Sequence, residues 1–191
     1  MHYNEDVFMT QFPIAKSFVY HITYYRILYK AYHKNDPKCE FWTHTINAHL
    51  LHAAILWCMI FGSDGCNPTH WKNLSSEQSD ELKCSFRESL PKSIGINWKR
   101  WRKYHKEMTD FRNKFAAHRE LEYKKPIPKF DIALSVVYYY DHWIREVIAP
   151  DIMNELLLEK SAKNLKAIVP LINTLIKNTK AYYETAQIKK I

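Results

Sequence analysis

The chain contains only three glycines, Gly62, Gly65 and Gly95, among 191 residues. Phosphate-cradling loops of the Walker and Rossmann types need several glycines within a few residues of a strand end. Nucleotide sites of those two types are therefore excluded. Eight prolines, with long stretches that contain neither proline nor glycine, also argue against a many-turned all-β architecture. The sequence predicts an all-α fold.

Apolar residues at helical spacing divide the chain into long helices separated by breaks. They predict one domain over residues 1–191, an up-and-down bundle of four to five helices with a C-terminal helical extension. The first expected helices run from Ile14 to His33 with Pro13 in the first turn, from Glu40 to Phe61, and from a cap at Ser75 or Ser76 to about Leu90, before Pro91 and Gly95. The later ones run from Asn97 to about His118 and from a cap at Asp131 to about Ile148, before a last stretch that Pro170 interrupts.

The sequence predicts a cytoplasmic protein without a membrane span. Its longest apolar run, from Ala53 to Phe61, is about half of the roughly 20 residues that a membrane-spanning helix requires. The amino terminus lacks the basic and apolar regions of a secretory signal. The four cysteines form no C-x-x-C pair, so reduced thiols are expected rather than a zinc knuckle or a disulfide framework.

The positive charge is concentrated in one window of the chain. Twelve basic and four acidic residues lie between Pro91 and Phe130, which equals the whole net charge of +8. Trp98 and Trp101 are interleaved with these cations, a combination that single-stranded nucleic acid uses for phosphate contacts and base stacking. A solvated helix face is the alternative interpretation. The residues predicted to bind RNA are Lys99, Arg100, Arg102, Lys103, Lys106 and Arg119.

The same window contains an arginine followed six positions later by a histidine, in the string from Asp110 to Glu120, DFRNKFAAHRE. This string resembles the R-x(4 to 6)-H signature of the HEPN (higher eukaryotes and prokaryotes nucleotide-binding) superfamily. The resemblance lies in Arg112, the polar Asn113 that follows it, and the Ala-His pair that ends at His118. The longer string is most similar to the branch associated with abortive infection by phage. The resemblance implies a helical, metal-independent endoribonuclease that needs no cofactor and acts as a homodimer with a composite site.

Two other pairs, Arg26 with His33 and Arg100 with His105, match the bare pattern, and we interpret both as accidental because neither arginine is followed by a polar residue. Six residues of α-helix rotate by about 600° and rise by about 9 Å, so Arg112 and His118 lie about 120° apart. On the helical wheel they flank the apolar stripe of Phe111 and Phe115. We therefore expect this stripe to pack against a symmetry mate, which would bring both copies of the pair into one basic cleft.

The residue types suit RNA transesterification. A neutral imidazole at His118 can accept the proton of a ribose 2′-hydroxyl, and its protonated form can return one to the leaving 5′-oxygen. A guanidinium at Arg112 can stabilise the charge that develops on the phosphate. Asn113, Lys114 and Glu120 are supporting candidates, with Glu120 expected to orient the imidazole. Glu120 also occupies the position of a tyrosine that some HEPN toxins have modified by a partner enzyme, so that form of control is not expected.

Alternatives remain open at this point. Arg112 can pair with Asp110 or Glu107 while His118 simply ends a helix. The chain can then be a non-catalytic HEPN-like module that binds nucleic acid or protein, or a purely structural helical adaptor. If the protein is an enzyme, we expect it to act as a toxin or a phage-defence effector. Its expected partner is an antitoxin or another component of a defence system.

Two rival sites are weaker. His44, His49 and His52 are spaced so that a single helix face cannot present all three to one metal ion. Cys66 and His70 lie in one loop without an orienting partner, which is a poor signal for a cysteine enzyme. In that loop we expect Trp71 to act as an anchor and His70 and Lys72 to edge a substrate cleft.

Overall fold

The structure is a computed structural model that describes residues 3–74, 80–118, 120–121, 123–148 and 154–188. The chain is an all-α helical bundle, as predicted, and its described part contains no strand. The α-helices are α1 (Glu5–Asn35), α2 (Glu40–Phe61), α3 (Asp80–Ser93), α4 (Trp98–Phe111), α5 (Phe130–Trp143), α6 (Leu158–Leu165) and α7 (Val169–Ile188). Two of them continue as π-helical turns, α4 over Arg112–Ala117 and α5 over Ile144–Ile148, and 3₁₀ turns occupy Trp71–Leu74 and Lys166–Ile168.

Helix α2 has the predicted bounds, but α1 begins at Glu5 rather than at Ile14. The start at Glu5 is fixed by Asn4, whose side-chain oxygen accepts a hydrogen bond from the Val7 N–H at 3.1 Å. Pro13 therefore lies inside α1 instead of in its first turn. Burial of Phe8 and Phe12 in the core on its N-terminal side offsets the backbone hydrogen bond that the proline removes.

The predicted end of α3 before Pro91 is also wrong, because the helix continues through Pro91 to Ser93. The turn that follows ends at Gly95, which has a φ of +72°. The predicted caps at Ser75 and Ser76 lie outside the described residues. Helix α4 starts directly after Asn97, whose side chain accepts a hydrogen bond from the Arg100 N–H at 2.8 Å. It is α-helical only as far as Phe111, and the remainder of the predicted helix is π-helical.

The predicted cap at Asp131 is wrong, because Lys129 is the N-cap residue of α5 and Asp131 lies in the first turn. The Asp131 carboxylate instead accepts a hydrogen bond from Arg26 of α1 at 2.7 Å, an ion pair between helices that local sequence does not reveal. The predicted interruption near Pro170 is confirmed. A 3₁₀ turn separates α6 from α7, and Pro170 occupies the first turn of α7, where a missing N–H has no cost.

Aromatic side chains dominate the main core, which forms between α1, α2, α4 and α5. Trp57 of α2 lies near its centre, fully buried, with Trp101 and Tyr104 of α4 against it in edge-on arrangements. A smaller cluster joins α7 to the far end of the α1–α2 pair through Leu28 and Ile176. The bundle therefore holds α4 by one buried stripe and leaves the rest of that helix to solvent.

The loop after α2 is held by a buried polar network. Gln11 of α1 is fully buried, and its amide donates to the carbonyl oxygens of Thr69 and His70 at 3.1 and 2.9 Å. The amide oxygen of Gln11 accepts a hydrogen bond from Tyr140 of α5. Since buried polar groups require such partners, this network holds the loop to α1 and, through Tyr140, to α5.

Helix α2 is long and apolar enough to cross a membrane when judged by length and composition alone. Half of its most apolar window is buried inside the bundle. Core helices of globular proteins have the same property.

Candidate ribonuclease site

The Arg112–His118 segment closes the motif helix with a π-helical turn. The His118 N–H donates to the Asn113 carbonyl at 3.2 Å, five residues back, and the Glu120 N–H donates to the Lys114 carbonyl at 2.9 Å. The backbone at His118 is extended, so the helix ends at Ala117. Short π-helical turns are rare and are found frequently at functional sites.

Arg112 is half-buried against α2 and does not neutralise a carboxylate among the described residues. Its guanidinium donates a hydrogen bond to the Asn113 side-chain oxygen at 2.6 Å. Burial raises the pKa of the Cys58 thiol on α2 to about 12, and the positive charge of Arg112 opposes that rise. Asp110 instead pairs with Lys106 and Lys125, at 3.3 and 2.9 Å.

His118 is exposed beyond the last helical turn, and no described residue makes a hydrogen bond to its imidazole. The Glu120 carboxylate accepts a hydrogen bond from Lys114 at 3.0 Å rather than from His118. Within the described part of the chain, no hydrogen bond joins Arg112 to His118. The structure thus pairs the supporting candidates with each other and with Arg112, and leaves the imidazole to solvent.

The apolar stripe of the motif helix is covered by its own chain. Phe111 is 0% exposed, stacks on Phe115 with ring centroids 5.3 Å apart, and contacts Tyr123 from the following segment. The Lys125–Asp110 ion pair fastens the same segment to α4. The expectation that this stripe packs against a symmetry mate is therefore wrong, because the core and Tyr123 already occupy it.

The predicted RNA-binding cations on α4 are all exposed. At about 100° per residue, Lys99, Arg102, Lys103 and Lys106 span an arc of about 100°, and Arg100 lies about 60° outside it. Lys103 and Lys106 each face an acidic residue one turn on, at 3.9 and 3.3 Å. Such exposed pairs are weak and leave the face strongly positive. Arg119 lies outside the described residues.

A cleft of about 320 Å³ opens beside this basic face. Trp98, Trp101 and His105 of α4 form one wall, and Trp98 is 37% exposed. The other wall comes from the loop after α2 and from α3, and includes His70, Trp71, Lys72, Phe86 and Arg87. The predicted edge residues His70 and Lys72 are present, and Trp71 anchors the loop by packing on Phe86 at 4.4 Å.

The cleft and Arg112 share one face of α4. His105 and Arg112 are seven residues apart, which corresponds to about 10 Å of rise and a rotation within about 20° of two full turns. Arg87 could not be predicted from the sequence, because only the tertiary placement of α3 across the cleft from α4 brings it to this site. No local pattern around Arg87 indicates a ligand.

The two accidental matches to the motif have structural roles. The His105 Nε2–H donates to the Phe61 carbonyl oxygen at 2.7 Å and so holds the end of α2. Arg26 forms the ion pair with Asp131 described above, and His33 packs its ring on Tyr29 at 4.1 Å.

His70 is buried, and burial together with the positive charge of Lys72 lowers its pKa to about 4 against the opposing effect of Asp64. Its Nδ1 accepts a hydrogen bond from the Lys72 N–H at 3.3 Å, which requires the unprotonated atom. The imidazole is therefore neutral at pH 7.

This burial predicts a pH-dependent stability. A histidine with a lowered folded-state pKa contributes stability that is fully present above its unfolded value of 6.5 and is lost as the pH falls through 4. For His70 the free energy of unfolding falls by about 3 kcal/mol in total between pH 6.5 and pH 4. We expect urea unfolding at pH 7 and pH 4 to show a smaller decrease for His70→Asn, which cannot titrate, than for the wild type. Parallel stability curves for the two proteins would contradict the assignment.

Two histidines of α2 form a cluster with a histidine of α1, which spacing along a single helix does not indicate. His49 meets His21 of α1, with their Nδ1 atoms 2.9 Å apart, and the His52 ring lies 4.5 Å from that of His21, while His44 is exposed elsewhere. Burial and the neighbouring imidazoles lower the pKa of His21 to about 4. In the described ranges, no group of three or more histidine, cysteine or acidic residues is arranged to hold a metal ion.

Cys66 is exposed whereas His70 is buried with its Nδ1 engaged, so the loop shows no thiol–imidazole hydrogen bond among the described residues. The remaining arrangement for chemistry is the Arg112–His118 turn at the end of a basic helix that also lines an aromatic cleft. No family model, curated protein or solved structure matches this chain, so the interpretation of the site depends on these residues and their geometry.

Proposed function

We propose that this protein is a metal-independent endoribonuclease of the HEPN type, with Arg112 and His118 as catalytic residues. The observation that carries the proposal is the π-helical turn at the end of α4, which begins at Arg112 and leads directly into His118. The same helix presents a row of exposed cations and one wall of an aromatic cleft. Phosphate contacts and base stacking are the two interactions by which proteins hold single-stranded RNA.

The chemistry is proton transfer and charge stabilisation. Neutral His118 accepts the 2′-hydroxyl proton while the 2′-oxygen attacks phosphorus, and Arg112 donates hydrogen bonds to the phosphate oxygens as their charge increases. The bond from phosphorus to the 5′-oxygen then breaks, and that oxygen receives a proton from an imidazolium. The products are a 2′,3′-cyclic phosphate and a 5′-hydroxyl.

The aromatic cleft supplies a stacking site for a base next to the scissile phosphate, and Trp98 is the exposed ring available for it. Trp98→Ala should weaken the binding of a short single-stranded RNA by about 1–3 kcal/mol, the usual value for one stacked base. Fluorescence anisotropy with labelled RNA measures this change. Tyr182→Ala is the matched control, because Tyr182 is exposed on α7, away from the cleft. Equal losses of RNA affinity in both variants would show that RNA does not bind in the cleft.

A homodimer completes the proposed site, since a single turn holds Arg112 and His118 without contact between them. The stripe of Phe111 and Phe115 is covered, so the second copy must approach from another side. Leu121, fully exposed, and Ile127, half exposed, follow the motif and offer apolar surface for that contact.

Mixing inactive Arg112→Ala with inactive His118→Ala tests the composite site. If each phosphate contacts Arg112 of one copy and His118 of the other, heterodimers regain one complete site. An equimolar mixture, exchanged by dilution and reconcentration, should then recover about a quarter of wild-type cleavage. A mixture as inactive as its components would show that each copy acts alone.

The runner-up function is a non-catalytic HEPN-like module that binds RNA or protein. One observation favours it, namely the separation of His118 from Arg112 and from Glu120 within the described chain. As an enzyme, the protein would act on RNA in the cytoplasm as a toxin or a phage-defence effector, under control of an antitoxin or another partner.

Incubation of labelled RNA with the purified protein in EDTA separates the two functions. Cleavage by the wild type and none by His118→Ala supports the ribonuclease. Tight binding without cleavage, in both EDTA and Mg²⁺, supports the binding module.

A further inference from the structure

A second concave site lies on another part of the bundle, where α1, α5, α6 and the start of α7 enclose a groove of about 670 Å³. This volume is within the range of small-molecule sites, about 300–1,000 Å³. The floor of the groove is aliphatic and is formed by Ile27, Ala31, Leu134, Ala162 and Val169. Ala31 and Ala162 are buried, so the floor belongs to the packed interior.

Two rows of cations border this aliphatic floor. Arg26, Lys30 and Lys34 recur at every fourth residue of α1, which places them on one edge over about 12 Å. Lys163 of α6 and Lys166 of the following 3₁₀ turn also line the groove. Glu159 is the one acidic residue among those that line the groove.

Part of this charge has no ion-pair partner among the described residues. Arg26 pairs with Asp131 at 2.7 Å, and Lys163 pairs with Glu159 at 2.8 Å. No residue in the described ranges forms an ion pair with Lys30, Lys34 or Lys166. The groove therefore presents, around an apolar floor, three ammonium groups with which no described acidic residue pairs. Outside the Pro91–Phe130 window, by contrast, basic and acidic residues are equal in number.

Tyr138 adds a neutral hydrogen-bond donor to the groove. Burial and the negative charge of Glu159 raise its pKa to about 12, against the opposing charge of Arg26. The phenol is half-buried, and no described residue makes a hydrogen bond to its hydroxyl. A half-buried hydroxyl in an apolar site is suited to an oxygen atom of a ligand.

We propose that this groove binds a single-chain lipid with a phosphate head group, with the chain on the aliphatic floor and the phosphate between Lys30, Lys34 and Lys166. Lysine ammonium groups bind phosphate as point charges, and three of them match its two negative charges better than they match a monoanion. RNA fits less well, because bases stack on aromatic planes and Tyr138 is the one aromatic side chain among the lining residues. The proposal is independent of RNA cleavage.

Calorimetric titration with dodecyl phosphate, below its micellar concentration, tests this site on the full chain. We expect saturable binding of one molecule per chain with a negative heat-capacity change, the signature of apolar burial. Inorganic phosphate, which has the head group alone, and dodecyltrimethylammonium, which has the chain with the opposite charge, should not bind measurably. Equal binding of dodecyltrimethylammonium, or binding of inorganic phosphate as tight as that of dodecyl phosphate, would overturn the proposal.

Variants locate the binding. Lys30→Glu and Lys34→Glu should each weaken dodecyl phosphate binding by about tenfold or more. Lys177→Glu, on an exposed part of α7 outside the groove, should leave it unchanged. All three positions are exposed, so thermal unfolding should show intact folds. If the three variants bind equally, or if a saturating RNA oligonucleotide displaces the lipid, the groove is not a lipid phosphate site.

Discussion

Alanine at His118 or at Arg112 is expected to reduce the rate of RNA cleavage by a factor of at least about 100. A positioned proton acceptor contributes about 10²–10⁴ to such a rate, and a donor aimed at developing charge contributes about 10²–10³. Neither residue belongs to the hydrophobic core, so the free energy of unfolding should change by less than about 1 kcal/mol. Cleavage of labelled RNA and urea unfolding measure the two quantities on the same preparations.

Arginines from the accidental motif matches are the controls. Arg26→Ala and Arg100→Ala should retain the chemical step, although loss of Arg100 can weaken RNA binding. Arg112→Lys keeps the charge but lacks the planar fork of donors, and we expect it to remain well below wild-type activity. Wild-type rates in both Arg112→Ala and His118→Ala would disprove the assignment of the two catalytic residues.

Asp141→Ala should destabilise the protein by about 3–5 kcal/mol, the usual cost of breaking a buried ion pair by removing one of its members. Asp141 on α5 is 2% exposed, and its carboxylate accepts hydrogen bonds from Arg145 at 2.9 Å and from the Leu158 N–H at 2.8 Å. Arg145 in turn donates to the Glu155 carbonyl at 2.6 Å. Removal of the carboxylate therefore takes away the negative charge that faces the buried Arg145 guanidinium on α5 and uncaps the first turn of α6.

Glu159→Gln provides a matched control, because Glu159 and Lys163 have the same spacing of four residues at 2.8 Å but are largely exposed. Exposed pairs of this kind contribute at most about 1 kcal/mol. Urea unfolding should show that Asp141→Ala loses several times more free energy of unfolding than Glu159→Gln does. Similar small losses would mean that the Asp141–Arg145 pair does not join α5 to α6.

Much of the fold can be predicted from local sequence. The helix bounds that were predicted wrongly differ from the structure for definite physical reasons. The bounds of α2 were predictable because its apolar residues end at a glycine and begin after Asp36-Pro37. The predicted start of α1 was too late because Pro13 resembles a first-turn proline, whereas the burial of Phe8 and Phe12 maintains the helix on the N-terminal side of this proline. Local pattern cannot report such tertiary contributions.

The candidate site was only partly predictable. The Arg112–His118 pair and the exposed cations of α4 follow from spacing and charge. The burial of the apolar stripe at Phe111 could not be predicted from spacing, because Tyr123 covers it only when the segment after the helix packs back on α4. Arg87 and the groove between α1 and α6 arise from packing between distant segments, and a charge count along the chain averages such surfaces to zero.

The chemical ends of cleaved RNA test the central claim most directly. Wild-type protein incubated with a defined single-stranded RNA in EDTA should produce fragments with 2′,3′-cyclic phosphate and 5′-hydroxyl ends, and His118→Ala should produce none. Mass spectrometry of the fragments distinguishes these ends from all others. Fragments with 5′-phosphate ends, cleavage that requires a divalent metal, or equal cleavage by His118→Ala would contradict the assignment of His118 and Arg112 as a ribonuclease site.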